Sequence, residues 1–176
     1  MDDFYTATRS ILATSVARWS ALAQVDAALL ARQPAPGEWS AIQALQHVVD
    51  TEAVVFRARV LAILEGRDFA AFDPDTEGHV DRITRTAAQL AADLGPMRAA
   101  SLETLAGLTP ADLGRTARHP ELGSVTMAEL LNEWAAHDTM HIVQAERALM
   151  QAFIPGTGPW RVYFADHDVD VAGPAR

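Results

Sequence analysis

The spacing of apolar residues is the strongest constraint on how this chain can fold. In four long stretches they recur every three or four positions, the repeat that lines up side chains on one face of an α-helix. The first stretch runs from about Phe4 to Arg32, with Ile11, Leu12, Val16, Trp19, Leu22, Ala23 and Leu29 on its stripe. Pro34-Ala-Pro36-Gly37 stops it. The second opens on a capping box, Ser40 with Gln43, and carries Ile42, Leu45, Val49, Ala53, Phe56 and Val60 to about Glu65, where Gly66 ends it. The third covers roughly Val80 to Gly107, with a kink or break expected at Gly95-Pro96. The fourth opens on a second capping box, Thr126 with Glu129, and ends near Phe153. No strand-type alternation is sustained, so the pattern predicts an all-α four-helix bundle in which a sheet is not expected.

The connections read as follows. Asp68 to Gly78 is a loop with a turn at Asp73-Pro74-Asp75. A long loop from about Leu108 to Val125 precedes the last helix; Thr109-Pro110-Ala-Asp112 suits one helical turn within it, and the residues from His119 to Ser124 are turn-rich. The tail carries Trp160, Tyr163 and Phe164, which predicts that it packs back on the bundle, with fraying beyond His167. The whole of 1–176 suits one domain.

Composition narrows the function classes. With 49% hydrophobic and 21% charged residues the chain falls among ordinary soluble globular proteins. A formal net charge of −9 argues against nucleic acid and against anionic lipid surfaces as partners. No run of about 18 apolar residues exists, so no membrane span is read. The acidic start, Met-Asp-Asp-Phe-Tyr, lacks the basic and then apolar pattern of a leader, so the cytoplasm is the expected location. The absence of cysteine removes disulfides, thiolate ligands and a cysteine nucleophile together.

The fourth helix holds the chemistry. His137 and His141 lie one turn apart, about 6 Å along the axis, on the same side as Met127, Leu130, Trp134, Ala145 and Ala148. Imidazoles facing an apolar interior need partners for their nitrogens, and two at this spacing can grip one metal ion. A firm site needs a third ligand. His47 is the best candidate: in a simple up-and-down bundle the second and fourth helices run parallel, with His47 and His137 offset by roughly 5–10 Å in height. Periodicity leaves His47 undecided, because it sits with Ala44, Thr51, Val54 and Ala58, away from the main stripe. That additional apolar side could serve a dimer interface. His79, His119 and His167 read as solvated loop histidines, with His119 the nearest to a site role. Trp39 and Trp134 read as packing residues. Asp50, Glu52 and Asp138 read as solvated carboxylates; Asp138 and Gln144 are candidates to orient a ligating imidazole.

The residues also resemble a known family. Glu38-Trp39-Ser40-Ala-Ile-Gln-Ala-Leu45-Gln-His47-Val-Val-Asp50 is similar to the first motif of the DinB-like (DinB/YfiT) family. The segment from His119 through Thr126, Trp134, His137 and His141 to Gln144 resembles its last helix and the turn before it, and Gly158-Pro-Trp160-Arg-Val-Tyr163 a segment of one branch. The resemblance implies a four-helix bundle and a divalent metal held by His47, His137 and His141: zinc first, with nickel, manganese or iron as alternatives. It also implies a metal-dependent enzyme acting on a small molecule, such as a transferase that uses a low-molecular-weight thiol (bacillithiol, mycothiol or glutathione). Two other readings stand beside it. One is metal-assisted hydrolysis with Glu52 or Asp138 as base. The other is a non-catalytic, metal-stabilised or ligand-binding bundle of a stress response, and a homodimer is a further expectation.

Overall fold

The computed structural model describes residues 3–70 and 83–172. The helices are α1 (Asp3–Leu22), α2 (Ala27–Ala31), α3 (Ala41–Val54), α4 (Phe56–Glu65), α5 (Ala87–Ala106), α6 (Met127–Met150) and the short α7 (Val169–Ala172). Both expected capping boxes form. Gln43 Oε1 accepts from the Ser40 N–H at 2.9 Å, and Glu129 Oε2 from the Thr126 N–H at 2.7 Å. Each satisfies a donor that helix geometry leaves open and is worth about 1 kcal/mol.

Local hydrogen bonding divides two of the long stretches. Asp26 Oδ1 accepts from Ala28 and Leu29, which starts α2 afresh instead of extending α1. In the second stretch Thr51 Oγ1 donates back to the His47 carbonyl at 2.9 Å, a competition that bends helices, and Val55 separates α3 from α4. The third stretch starts at Ala87, later than expected, behind a Thr86–Gln89 capping box. It then runs through Gly95-Pro96 without a break. Pro96 is exposed, so water can serve the Ala92 carbonyl that lacks a helical partner. The turn at Asp73-Pro74-Asp75, Val80 and His79 lie outside the described residues.

The expectation of no sheet is corrected in one place. Thr116–His119 (β1) and Gly123–Thr126 (β2) pair as an antiparallel hairpin, with Thr116 opposite Thr126 and His119 opposite Gly123. Gly123 takes φ +79°, which a side chain would resist. Strands of four residues are too short to show a period, and the turn residues between them read simply as loop. Just before the hairpin, the single helical turn expected near Asp112 is present as Asp112–Gly114.

Helix order is the second correction. α1 and α3 each pack between α5 and α6, so the second and fourth long helices are neighbours. They also run antiparallel: Trp39 lies beside His141, whereas Phe56, further along, stacks on Trp134. The apolar core repeats the same sense. One cluster gathers Leu12, Phe56, Val60, Leu105, Met127 and Trp134. The other gathers Trp19, Leu45, Val48, Leu90, Leu94 and Ile142. Thus α1 and α6 run from the first cluster to the second, and α3–α4 and α5 run back. Each fully buried Leu or Val contributes about 1.5–3 kcal/mol.

The tail is tied to the end of α6, though by other groups than expected. Ile154 is buried, Gln151 Nε2 donates to the His167 carbonyl at 2.9 Å, and Arg161 Nε donates to Asp168 at 2.6 Å. Trp160 and Tyr163 stay 66% and 79% exposed, because these polar bonds fix the segment with the rings outward.

Candidate metal centre

Between the two apolar clusters lies a belt of polar side chains drawn from all four long helices. On α3 and α6 this belt brings His47, His137 and His141 together. One ligand nitrogen from each ring lies within 4.8 Å of the others. The ring centroids are 4.4–5.1 Å apart, and His47 Nε2 is 3.0 Å from His137 Nε2. Two nitrogens on a tetrahedral ion at 2.0–2.1 Å stand about 3.3 Å apart, so the spacing fits a divalent cation with small adjustment.

The hydrogen bonding of one ring fits as well. His141 Nδ1 lies 2.7 Å from Gln144 Oε1. An amide oxygen accepts, so Nδ1 carries the proton and Nε2 keeps the lone pair that a metal needs. Nδ1 of His47 and of His137 are buried without a hydrogen-bond partner. Trp39 flanks the group, its ring 5.8 Å from His141 at 20° and 5.0 Å from His47. Phe56 lies edge-on to His137 at 5.0 Å.

All three rings are held neutral. Burial, reinforced by the neighbouring His141, pushes His47 down to about 4 against the pull of Asp50. Burial, then His141, His47 and Arg98, push His137 down to about 2. Burial also lowers His141, opposed by the Gln144 hydrogen bond and Asp138. Neutral imidazole is the ligating form.

The carboxylates differ from expectation, for none of the three is solvated. Arg98, which the sequence reading passes over, is fully buried on α5. Its Nη2 donates to Asp138 Oδ1 at 2.8 Å and lies 3.0 Å from Glu52 Oε2. Its Nη1 donates to the Leu12 carbonyl and to Ser15 on α1. Ser101 donates to Glu52 Oε1 at 2.7 Å. Asp50 accepts from Gln46 at 2.7 Å and faces Arg85 at 3.6 Å. Glu52 and Asp138 are therefore committed to a guanidinium and poorly placed to serve as general bases. Of the candidates to orient an imidazole, Gln144 touches one and Asp138 acts only through its charge. An arginine at an apolar-stripe position of the third helix is the signal that points to the network.

Other expectations resolve as follows. His119 lies apart from the centre: its Nδ1 accepts from the Glu121 and Leu122 amides, closing the hairpin turn. His167 is exposed in the tail. Trp134 is a packing residue as expected, whereas Trp39 is half-buried and lines a cleft. On the second apolar side of the second helix, Ala44 and Thr51 are buried inside the bundle, leaving only Val54 and Ala58 outside. The cleft, about 430 Å³, runs from His141 and Trp39 along Gln144 to Arg147. Among the described residues no helix is long and apolar enough to cross a membrane.

Comparison with known proteins agrees with this architecture. YfiT from Bacillus subtilis, described as a probable metal-dependent hydrolase with an unusual four-helix bundle topology, superposes with a TM-score of 0.76 at 16% identity, over 86% of this chain and 90% of that one. At that identity the likeness speaks to the fold. No curated protein matches the sequence. The model of the DinB superfamily matches residues 12–145, a span that includes all three clustered histidines, and the chain belongs to that superfamily.

Proposed function

We propose that the chain is a metal-dependent enzyme whose ion is held by His47, His137 and His141, and that it transfers a low-molecular-weight thiol to a small electrophile. The observation that carries the metal reading is the convergence of three neutral imidazoles on one point, with the tautomer of His141 set by Gln144. Three neutral ligands leave a divalent ion its full charge and open positions, with zinc the best match to an all-imidazole set. Such an ion lowers the pKa of a thiol or water bound to it.

The protein's own groups favour thiol transfer over hydrolysis. Thiol transfer asks little more of the protein than placement, because loss of the thiol proton is favoured by the ion. Hydrolysis gains from a carboxylate base, and the candidates Glu52 and Asp138 are bound to Arg98. Gln144 orients His141, and Trp39 supplies an apolar wall beside His47 and His141. The likeness to YfiT supports metal-dependent hydrolysis as the second reading. The proposal takes residues 1–176 as one domain, acting in the cytoplasm on a small molecule, with a homodimer as a further expectation.

Elemental analysis of freshly purified protein without a histidine tag tests the metal. The expected result is about one divalent ion per chain, lost in His137→Ala; a metal-free wild type overturns the reading. Turnover of an electrophile with and without added thiol separates the two reactions. Loss of metal in His137→Ala with only a lower melting temperature, and no turnover by the wild type in either assay, is the result that favours a non-catalytic bundle.

A further inference from the structure

The cleft beside the histidines contains a cation that the metal-centred reading does not use. Arg147 is half-buried on α6, six residues beyond His141, which places it about 9 Å further along the helix axis. Its Nε donates to the His167 carbonyl at 3.3 Å. Among the described residues no carboxylate pairs with it, and its two terminal nitrogens have no partner. Other arginines of this acidic chain, such as Arg98, Arg85 and Arg161, have found acids. Glu38, on the opposite lip, has a partner of its own.

The rest of the lining is graded. At the histidine end stand His141 and the ring of Trp39. Val143, more than half exposed, gives the middle an apolar side, and Met140, also more than half exposed, stands beside the histidine end. At the far end stands Arg147. The tail strengthens this layout: the carbonyl of His167 that receives Arg147 Nε also accepts from Gln151 Nε2 at 2.9 Å, so the arginine is held at a fixed point. A planar guanidinium fixed through Nε and open at both Nη atoms matches the two oxygens of a carboxylate.

We propose that this cleft binds a small molecule with a carboxylate seated on Arg147, an apolar middle along Val143, and its reacting end directed toward His141 and Met140. The inference rests on the metal-centred reading and adds a substrate class to it. Arg147 is a specificity residue in this scheme and takes no part in the bond-making step.

Cobalt(II)-loaded, tag-free protein provides the test. Its visible spectrum is titrated with 6-mercaptohexanoate and, separately, with the neutral 6-mercaptohexanol. The wild type should bind the carboxylate about tenfold more tightly. Arg147→Met should erase that preference while leaving the affinity for the alcohol unchanged, and Arg147→Lys should keep part of it, since a point charge lacks the fork. Circular dichroism and the melting temperature of both variants check that the tail bond to His167 is not needed for folding. If Arg147→Met unfolds, the lysine variant and the two wild-type titrations still decide. Equal affinity for the two probes in the wild type, or a preference that survives in Arg147→Met, overturns the anchor. A cobalt spectrum that answers both thiols equally tells against the anchor alone; no cobalt spectrum at all tells against the metal centre and takes the anchor with it.

Discussion

Two groups of buried polar side chains sit next to each other in the middle of this bundle, and they are built on opposite plans. The Arg98–Glu52–Asp138 network is closed by charge: opposite charges meet within 3.0 Å and the hydroxyls of Ser15 and Ser101 add hydrogen bonds, although Arg98 Nε and Glu52 Oε2 make none. The histidine cluster stays open. Two of its Nδ1 atoms have no hydrogen-bond partner, and Nε2 of His47 and of His137 lie 3.0 Å apart. Unmade hydrogen bonds in a low-dielectric interior are costly, which is why native cores seldom keep them. Ion pairs drawn from several helices hold those helices in place. Three neutral imidazoles whose ring nitrogens converge have no such charge to hold them, and offer lone pairs to a cation instead.

The largest expected effect tests the closed group. Arg98→Ala leaves two buried carboxylates without a counter-charge and should cost about 3–5 kcal/mol in urea unfolding. A loss below about 1 kcal/mol would mean that the network is not the brace described here. The open group should behave in the reverse way. His137→Ala should change metal-free stability little. It should abolish the stabilisation that the wild type gains from added zinc, about 2.7 kcal/mol at a hundredfold excess over Kd. Thermal melts with and without zinc give both numbers, and a large metal-free loss would make the two groups alike.

Acid sharpens the contrast further. The unfolded chain protonates His47 near 6.5, whereas the folded chain resists until about 4. The unfolded state therefore binds more protons in that window, so metal-free stability is complete above about pH 6.5 and falls as pH drops toward 4. The slope is at most about 1.4 kcal/mol per unit for each histidine. His137 extends the loss toward about 2. Urea titrations across pH 4–7 check the sign. The smallest effect concerns Gln144→Leu, which frees the tautomer of His141 and should weaken metal affinity about tenfold with the melting temperature of the metal-free protein unchanged. Competition with a chelator measures it.

How much of this was legible depends on how local the cause is. The capping boxes at Ser40 and Thr126 and the stripes of the second and fourth helices are short-range patterns, and they read directly. Thr86-Ala-Ala-Gln89 obeys the same rule and marks the true start of α5. The Val55 junction depends on a hydroxyl choosing its own helix's carbonyl, which a residue count does not show. The hairpin is too brief for a period. The antiparallel pairing of the second and fourth long helices is a tertiary fact, and the parallel arrangement expected for a simple bundle brought His47 toward His137 by a different geometry from the one observed. Periodicity left His47 open; the family motif pointed to it, and the coordinates place it 3.0 Å from His137. Arg98 sat in plain view, but a buried cation is identified only by the acids that three other helices bring to it.

The chain separation of His47 and His137, 90 residues, has a kinetic meaning. Closing so long a segment is slow and entropically costly, so an ion bridging the two rings would arrive after the fold has formed. It would act as a late clasp, leaving the speed of folding largely unchanged and slowing the escape from the native state, so that metal starvation would shorten the lifetime of each folded molecule more than it would hinder the making of new ones.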